Sequence, residues 1–159
     1  MDVKRLIDQY GQEFETEVFP CLPDSQYGNL ESLILYSIIR NRKPQIVTEF
    51  GTETKGRSTY IIHKALEKNE RIFVHAMFDK QGVVEEALVN LSRHFPSKSI
   101  QQTWILSGPI EYTIEIFDRL IPLDRINFAF IDADHGCDFT KWYVERIIKK
   151  YRLSRLSKE

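Results

Sequence analysis

Four short apolar runs, kept apart by amphipathic segments, constrain this chain more than any other feature of its sequence. Ile46, Val47 and Phe50 make the first, and residues 71–78 carry Ile72, Phe73, Val74, Ala76, Met77 and Phe78 as the second. Residues 103–106 and residues 126–131 (Ile-Asn-Phe-Ala-Phe-Ile) supply the third and fourth. Nearly continuous runs of this kind, with β-branched and aromatic members, read as strands buried on both faces. Between them Ile61, Ile62, Ala65 and Leu66 recur at helical spacing, as do Val83, Val84, Ala87, Leu88 and Leu91, and then Ile114, Phe117 and Leu120. A last helix from about Phe139 carries Trp142, Tyr143, Ile147, Ile148 and Tyr151. Strands alternating with helices predict right-handed βαβ units. The expected fold is therefore α/β, a Rossmann-like doubly wound parallel sheet of about four strands with helices on both faces.

Ahead of the sheet, residues 2–19 read as a weakly patterned amphipathic helix. Pro20, Pro23, Asp24, Ser25 and Gly28 make a loop, and Asn29 stands where it could cap a second helix bearing Leu30, Leu33, Ile34, Ile38 and Ile39. Pro44 stops that helix. A length of 159 residues suits one domain, with N-terminal helices over 1–44 and a βα core over 45–159.

Bulk properties exclude several classes of partner. A net charge of -1 gives no global pull toward nucleic acid or anionic membrane. Lys149, Lys150, Arg152, Arg155 and Lys158 read as a solvated helix end, where cations suit the helix dipole. No stretch approaches the ~20 apolar residues of a membrane span, and residues 1–17 lack the apolar core of a signal peptide. Cys21 and Cys137 show neither disulfide-framework nor metal-type spacing. The expectation is a cytoplasmic domain with no membrane partner and no nucleic acid.

Chemistry concentrates in residues 45–60, where a buried strand breaks at Gly51 and Gly56 punctuates a polar turn. Ser58 or Thr59 is then placed to cap the following helix. Strand, glycine-bearing turn and helix N-terminus form a cradle for an anion or nucleotide. In open parallel sheets ligands bind beyond the carboxyl ends of the strands, which puts the Gly51 turn and residues 132–136 on one rim.

These residues also resemble a family. Leu33-Ile34-Leu35-Tyr36 through Lys43-Pro44, then Ile46-Val47-Thr48-Glu49-Phe50-Gly51-Thr52 and Gly56-Arg57-Ser58-Thr59, is similar to the first motif of class I S-adenosylmethionine-dependent methyltransferases. Phe130-Ile131-Asp132-Ala133-Asp134-His135 resembles the Asp-Ala-Asp turn of the small-molecule O-methyltransferases. The likeness runs from about residue 29 to 151.

The resemblance implies S-adenosylmethionine as cofactor and a small-molecule hydroxyl as methyl acceptor. Glu49 would organise the loop and the methionine amino group; Gly51, Thr52, Glu53 and Gly56 would line the cofactor. Ser58 and Thr59 would reach its carboxylate, and Gly108 would lie near the adenine. Asp132 would bind the cofactor amine and, in a metal-dependent member, a divalent cation such as Mg²⁺. His135 would serve as base, a task its ordinary pKa suits.

Departures from the pattern accompany the likeness. The Gly51–Gly56 turn is one residue longer, with Glu53 where many relatives carry glycine. The ribose-binding acid expected at the end of the second strand reads as Ala76 or Met77, with Asp79 beyond it as a substitute if the loop curls back. The family's sheet has about three more strands, so the fourth strand here is expected on an open edge. A second copy or another partner would cover that edge, unless the chain belongs to a larger protein.

Other readings stay open at this stage. Residues 51–58 nearly satisfy the P-loop pattern, with Arg57 in place of its lysine. A catalytically inactive methyltransferase-fold interaction module would show the same motifs. Gly51 and Gly56 could form an ordinary turn, Glu49 could be a satisfied buried acid, and His135 a loop histidine. Asp132, Asp134 or Asp138 could cap the last helix. His63, His75 and His94 read as surface or packing residues.

Overall fold

Each apolar run becomes a strand of one sheet, but with shifted ends. A computed structural model describes residues 2–24, 28–133 and 136–149. Helices α1 (Val3–Glu13) and α2 (Asn29–Arg42) precede β1 (Ile46–Phe50), and α3 (Arg57–Lys68) leads to β2 (Val74–Asp79). Helices α4 (Val83–Ser92) and α5 (Ser97–Ile100), strand β3 (Thr103–Ser107) and helix α6 (Ile110–Leu120) follow. Strand β4 (Phe128–Ile131) and helix α7 (Cys137–Tyr143) complete the described order, α7 continuing as a π-helical turn over Val144–Ile148. The strands are all parallel, in the order β3-β2-β1-β4.

Strand β1 sits at the centre, and residues 47–50 are buried throughout because helices cover both faces. Its side chains alternate between two cores, as the two-residue period of a strand requires. Val47 joins Leu35, Tyr36, Ile39, Ile61 and Ile62 on one face, while Phe50 joins Phe78, Leu106, Ile114 and Phe117 on the other. Phe50 and Phe78 stack with ring centroids 4.6 Å apart.

The N-terminal helices are tied on by a polar anchor. Arg40 holds both carboxylate oxygens of Glu13, at 2.8 and 3.1 Å, and also reaches the Lys68 carbonyl and Asn69 Oδ1. Burial pushes the Glu13 carboxyl up, but the bonds donated by Arg40 and Tyr36 outweigh it and hold the group below the usual carboxylate range.

Three expectations about local structure are corrected. Strand β2 starts at Val74 and ends at Asp79; Ile72 stays 84% exposed, because β1 pairs only from Val74 onward. Asn29 does not cap α2. Gly28 takes that position, and the Asn29 side chain accepts a 2.5 Å bond from Arg57 instead. Helix α7 begins at Cys137 with Gly136 at its cap and no capping side chain, so neither Asp132 nor Asp138 plays that part. The expected basic tail beyond Lys149 lies outside the described residues, as does Tyr151. Among the described residues no helix is long and apolar enough to cross a membrane.

Candidate functional site

The sheet's carboxyl rim is where the sequence motifs meet. Hydrogen bonding runs one residue past each strand: Gly51 N–H donates to Phe78 O (2.9 Å), Gly108 N–H to Asp79 O (3.0 Å) and Asp132 N–H to Phe50 O (2.8 Å). The turns after β3, β1 and β4 and the end of β2 are thereby fixed side by side. Gly51 and Asp132 share this rim, as the sequence predicts.

They do not flank a gap, however. Gly51 has φ +87°, and a Cβ built there would lie 2.3 Å from the Asp132 carbonyl oxygen and 2.9 Å from Ala133 Cα. Only glycine permits this conformation and this approach. The close approach that requires Gly51 is therefore that of the Asp132 turn, not of a ligand. Gly56, with φ +66°, likewise faces Ala87 of α4 at 3.4 Å.

The remaining turn residues divide into inward and outward groups. Thr52 is buried, and its N–H and Oγ1 both donate to Asp79 Oδ2, at 2.7 and 3.1 Å. Glu53 is exposed, with φ +55°. Helix α3 begins two residues earlier than expected, at Arg57, with Gly56 in the cap position. Neither Ser58 nor Thr59 caps it. Ser58 instead donates to Glu49 at 2.6 Å, and Thr59 Oγ1 is buried without a partner.

Glu49 itself is fully buried, and its second oxygen meets His75 Nε2 at 3.1 Å. It accepts a bond from Ser58 in the first turn of α3, from a position closed to ligand contact. His63 and His75 are core residues rather than surface ones, both 0% exposed, whereas His94 is exposed and packs edge-on against Tyr60. His63 Nε2 pairs with Ser99 Oγ at 2.8 Å, and its ring centroid lies 5.9 Å from that of His75. Burial, and then the neighbouring His75, push the His63 pKa down to about 3.

Asp79 is the site residue that strand counting placed one position outside its strand. It ends β2, half-buried, beside both Gly51 and Gly108. Thr52 occupies two acceptor positions on Oδ2, and Lys80 N–H one on Oδ1 at 2.7 Å. A carboxylate offers roughly four such positions, so one remains. Its signal in the sequence was an acid ending an apolar run just before the Lys80-Gln81-Gly82 turn.

The P-loop reading fails on Arg57, which is buried and turned away from the rim. Its guanidinium bonds Ser32 Oγ, the Pro23 carbonyl and Asn29 Oδ1. Among the described residues no group of three or more His, Cys, Asp or Glu side chains could hold a metal ion, so Asp132 finds no ligand set there. Asp134 and His135 lie outside the described residues. Asp132 is exposed at the rim, and Gly108, with φ +126°, follows β3 as expected.

Comparison of the whole architecture with solved structures decides the fold. An O-methyltransferase from Bacillus cereus in complex with SAH superposes with a TM-score of 0.60 at 14% identity, covering 90% of this chain. The fold is that of the class I S-adenosylmethionine-dependent methyltransferases. Only part of that methyltransferase is matched, since this chain spans 60% of its length. A SAH-bound methyltransferase from Podospora anserina aligns more loosely, with a TM-score of 0.43 at 14% identity over 73% of this chain and 45% of that one. No protein-family model matches the chain, and no curated protein matches it in sequence.

In the methyltransferase fold, with β3, β2, β1 and β4 side by side, Asp79, Gly108 and the Gly51 turn form one continuous rim. The residues present fit a nucleoside: a carboxylate with a remaining acceptor position stands between two glycine turns.

Proposed function

We propose that this chain forms the cofactor-binding part of an S-adenosylmethionine-dependent methyltransferase acting on a small-molecule hydroxyl. The observation that carries the reading is Asp79, held at the end of β2 by Thr52 and Lys80 with one acceptor position remaining. Ribose hydroxyls are the donors such a carboxylate accepts at this point of a nucleotide-binding sheet.

Asp79 would hold the ribose, with the residues around Gly108 beside the adenine and the exposed Asp132 toward the cofactor amine. The bound cofactor supplies a sulfonium methyl group for in-line transfer. The protein's part is alignment and exclusion of water, which together account for much of the barrier in reactions between two held groups. Buried Glu49 contributes by fixing Ser58 and thus the first turn of α3. His135, three positions after Asp132, is the residue we assign as base for the acceptor hydroxyl, on its place in the sequence alone.

Calorimetric titration with S-adenosylmethionine and S-adenosylhomocysteine (SAH) tests the reading. Saturable heats with both, and none with ATP and Mg²⁺, are expected. Flat heats from folded protein would instead favour a non-catalytic module of the same fold. That second reading draws support from β4, which pairs on one side alone among the described residues.

A further inference from the structure

Below the rim, a chain of polar side chains is sealed in the core between the sheet and α3. Glu49 of β1, His75 of β2 and Ser58 of α3 are all buried. His75 stands opposite Val47 in the strand register, yet its Nε2 meets Glu49 Oε2 at 3.1 Å. Glu49 is the next residue on that face of β1, one step closer to the carboxyl end. The other Glu49 oxygen accepts the Ser58 hydroxyl at 2.6 Å. Both carboxylate oxygens are therefore engaged inside the core, one by β2 and one by the first turn of α3.

We infer that His75 is a positioning residue for the cofactor site proposed at the rim, on which this role rests: it donates from Nε2 to Glu49, and Glu49 in turn holds Ser58 and the start of α3. Burying an imidazole in a central strand is costly unless it is hydrogen-bonded, and Glu49 supplies that bond. A carboxylate only accepts, so the hydrogen between the two belongs to His75 Nε2. The ring's Nδ1 is then a bare acceptor, and it is buried without a partner among the described residues. A lone buried acceptor is better tolerated than a lone buried N–H, which favours the same tautomer. The neighbouring His63 ring is held by Ser99 of α5 instead.

The consequence lies at the rim. Helix α3 starts directly after the Gly51–Gly56 turn, and the first N–H groups of a helix have no partner within it. Their aim depends on how that first turn is seated, and Ser58 seats it on Glu49. Without His75, one buried Glu49 oxygen would lose its donor, a loss larger than the net worth of the bond. The carboxylate would then no longer be fixed against Ser58 from the sheet side.

Two measurements test the assignment. Two-bond proton–nitrogen correlation of the histidine rings in the free protein should place the His75 hydrogen on Nε2; a hydrogen on Nδ1 overturns the proposal. This needs no variant and so decides even if a substitution prevents folding. Calorimetry with SAH is the second. His75→Leu should weaken SAH at least ~5-fold, and His75→Gln, whose amide still donates, should restore most of that loss. Ser58→Ala should weaken SAH similarly, and the double variant no further than either alone, because both act on one chain of bonds. Wild-type affinity in folded His75→Leu, or full addition of the two losses, overturns the proposal. No SAH binding by the folded wild-type protein would defeat the cofactor site itself, whatever the ring shows, and His75 would then have no site to position.

Discussion

Two borders of the same sheet behave in opposite ways. At the carboxyl rim every strand end is tied to its neighbour: Gly108 to Asp79, Gly51 to Phe78, Asp132 to Phe50, and Thr52 to the Asp79 carboxylate. Along the outer side of β4 no strand pairs among the described residues, and both helical layers stand open over apolar side chains. The rim turns are held together by bonds within the described residues. The fold thus separates a rim of interlocked turns from a border that pairs on one side alone among the described residues, and the two can be perturbed independently.

The largest expected effect breaks the rim. Gly51→Ala places a Cβ 2.3 Å from a backbone oxygen at φ +87° and should cost roughly 3 kcal/mol or more in urea denaturation. An unchanged midpoint would mean that the turns are not locked together.

Next comes acid. His63 has its pKa lowered from 6.5 to about 3 in the folded chain, so between those values the unfolded chain binds the extra proton. Stability should therefore fall as pH drops below about 6.5, by roughly 3 kcal/mol on reaching pH 4. His75, Ser99, Phe73 and Phe95 surround the ring, and His63→Leu should flatten this part of the profile. A slope that persists in the variant would assign the acid sensitivity elsewhere.

A smaller effect probes the carboxylate itself. Asp79→Asn keeps the shape but weakens the charge-assisted bonds from Thr52, and about 2 kcal/mol of stability should go with them. The smallest effect sharpens the other border. Amides of β4 should exchange roughly tenfold faster than those of β1 in the free protein, since β1 is paired on both sides. Equal protection of the two strands would show that the β4 edge is already covered.

The sequence made the architecture legible because the apolar runs and helical spacings are strong and agree with one another. Four parallel strands and the sharing of a rim by Gly51 and Asp132 follow from it, while the edge position of β4 is what the family resemblance implies. What it concealed was register. Ile72 looked like strand because it is apolar, and the boundary slipped by enough to leave Asp79 outside β2; pairing with β1 sets the true limits. Side-chain partners across sequence gaps were also hidden. Local sequence offers Ser58 as a cap, but a buried carboxylate nine residues away, Glu49, claims its hydroxyl. The same holds for Asn29, which serves Arg57 rather than its own helix. His75 shows no local pattern at all, because its partner Glu49 lies on the neighbouring strand.

The most direct measurement is a map of backbone amide shifts on titration with SAH. The proposed site predicts saturable changes centred on Gly51, Thr52, Asp79, Lys80 and Gly108, with the outer edge of β4 unmoved and the response lost in Asp79→Ala of unchanged circular dichroism. Shifts gathered along Ala129 and Ile131, or none at all in folded protein, would contradict a cofactor site at the rim.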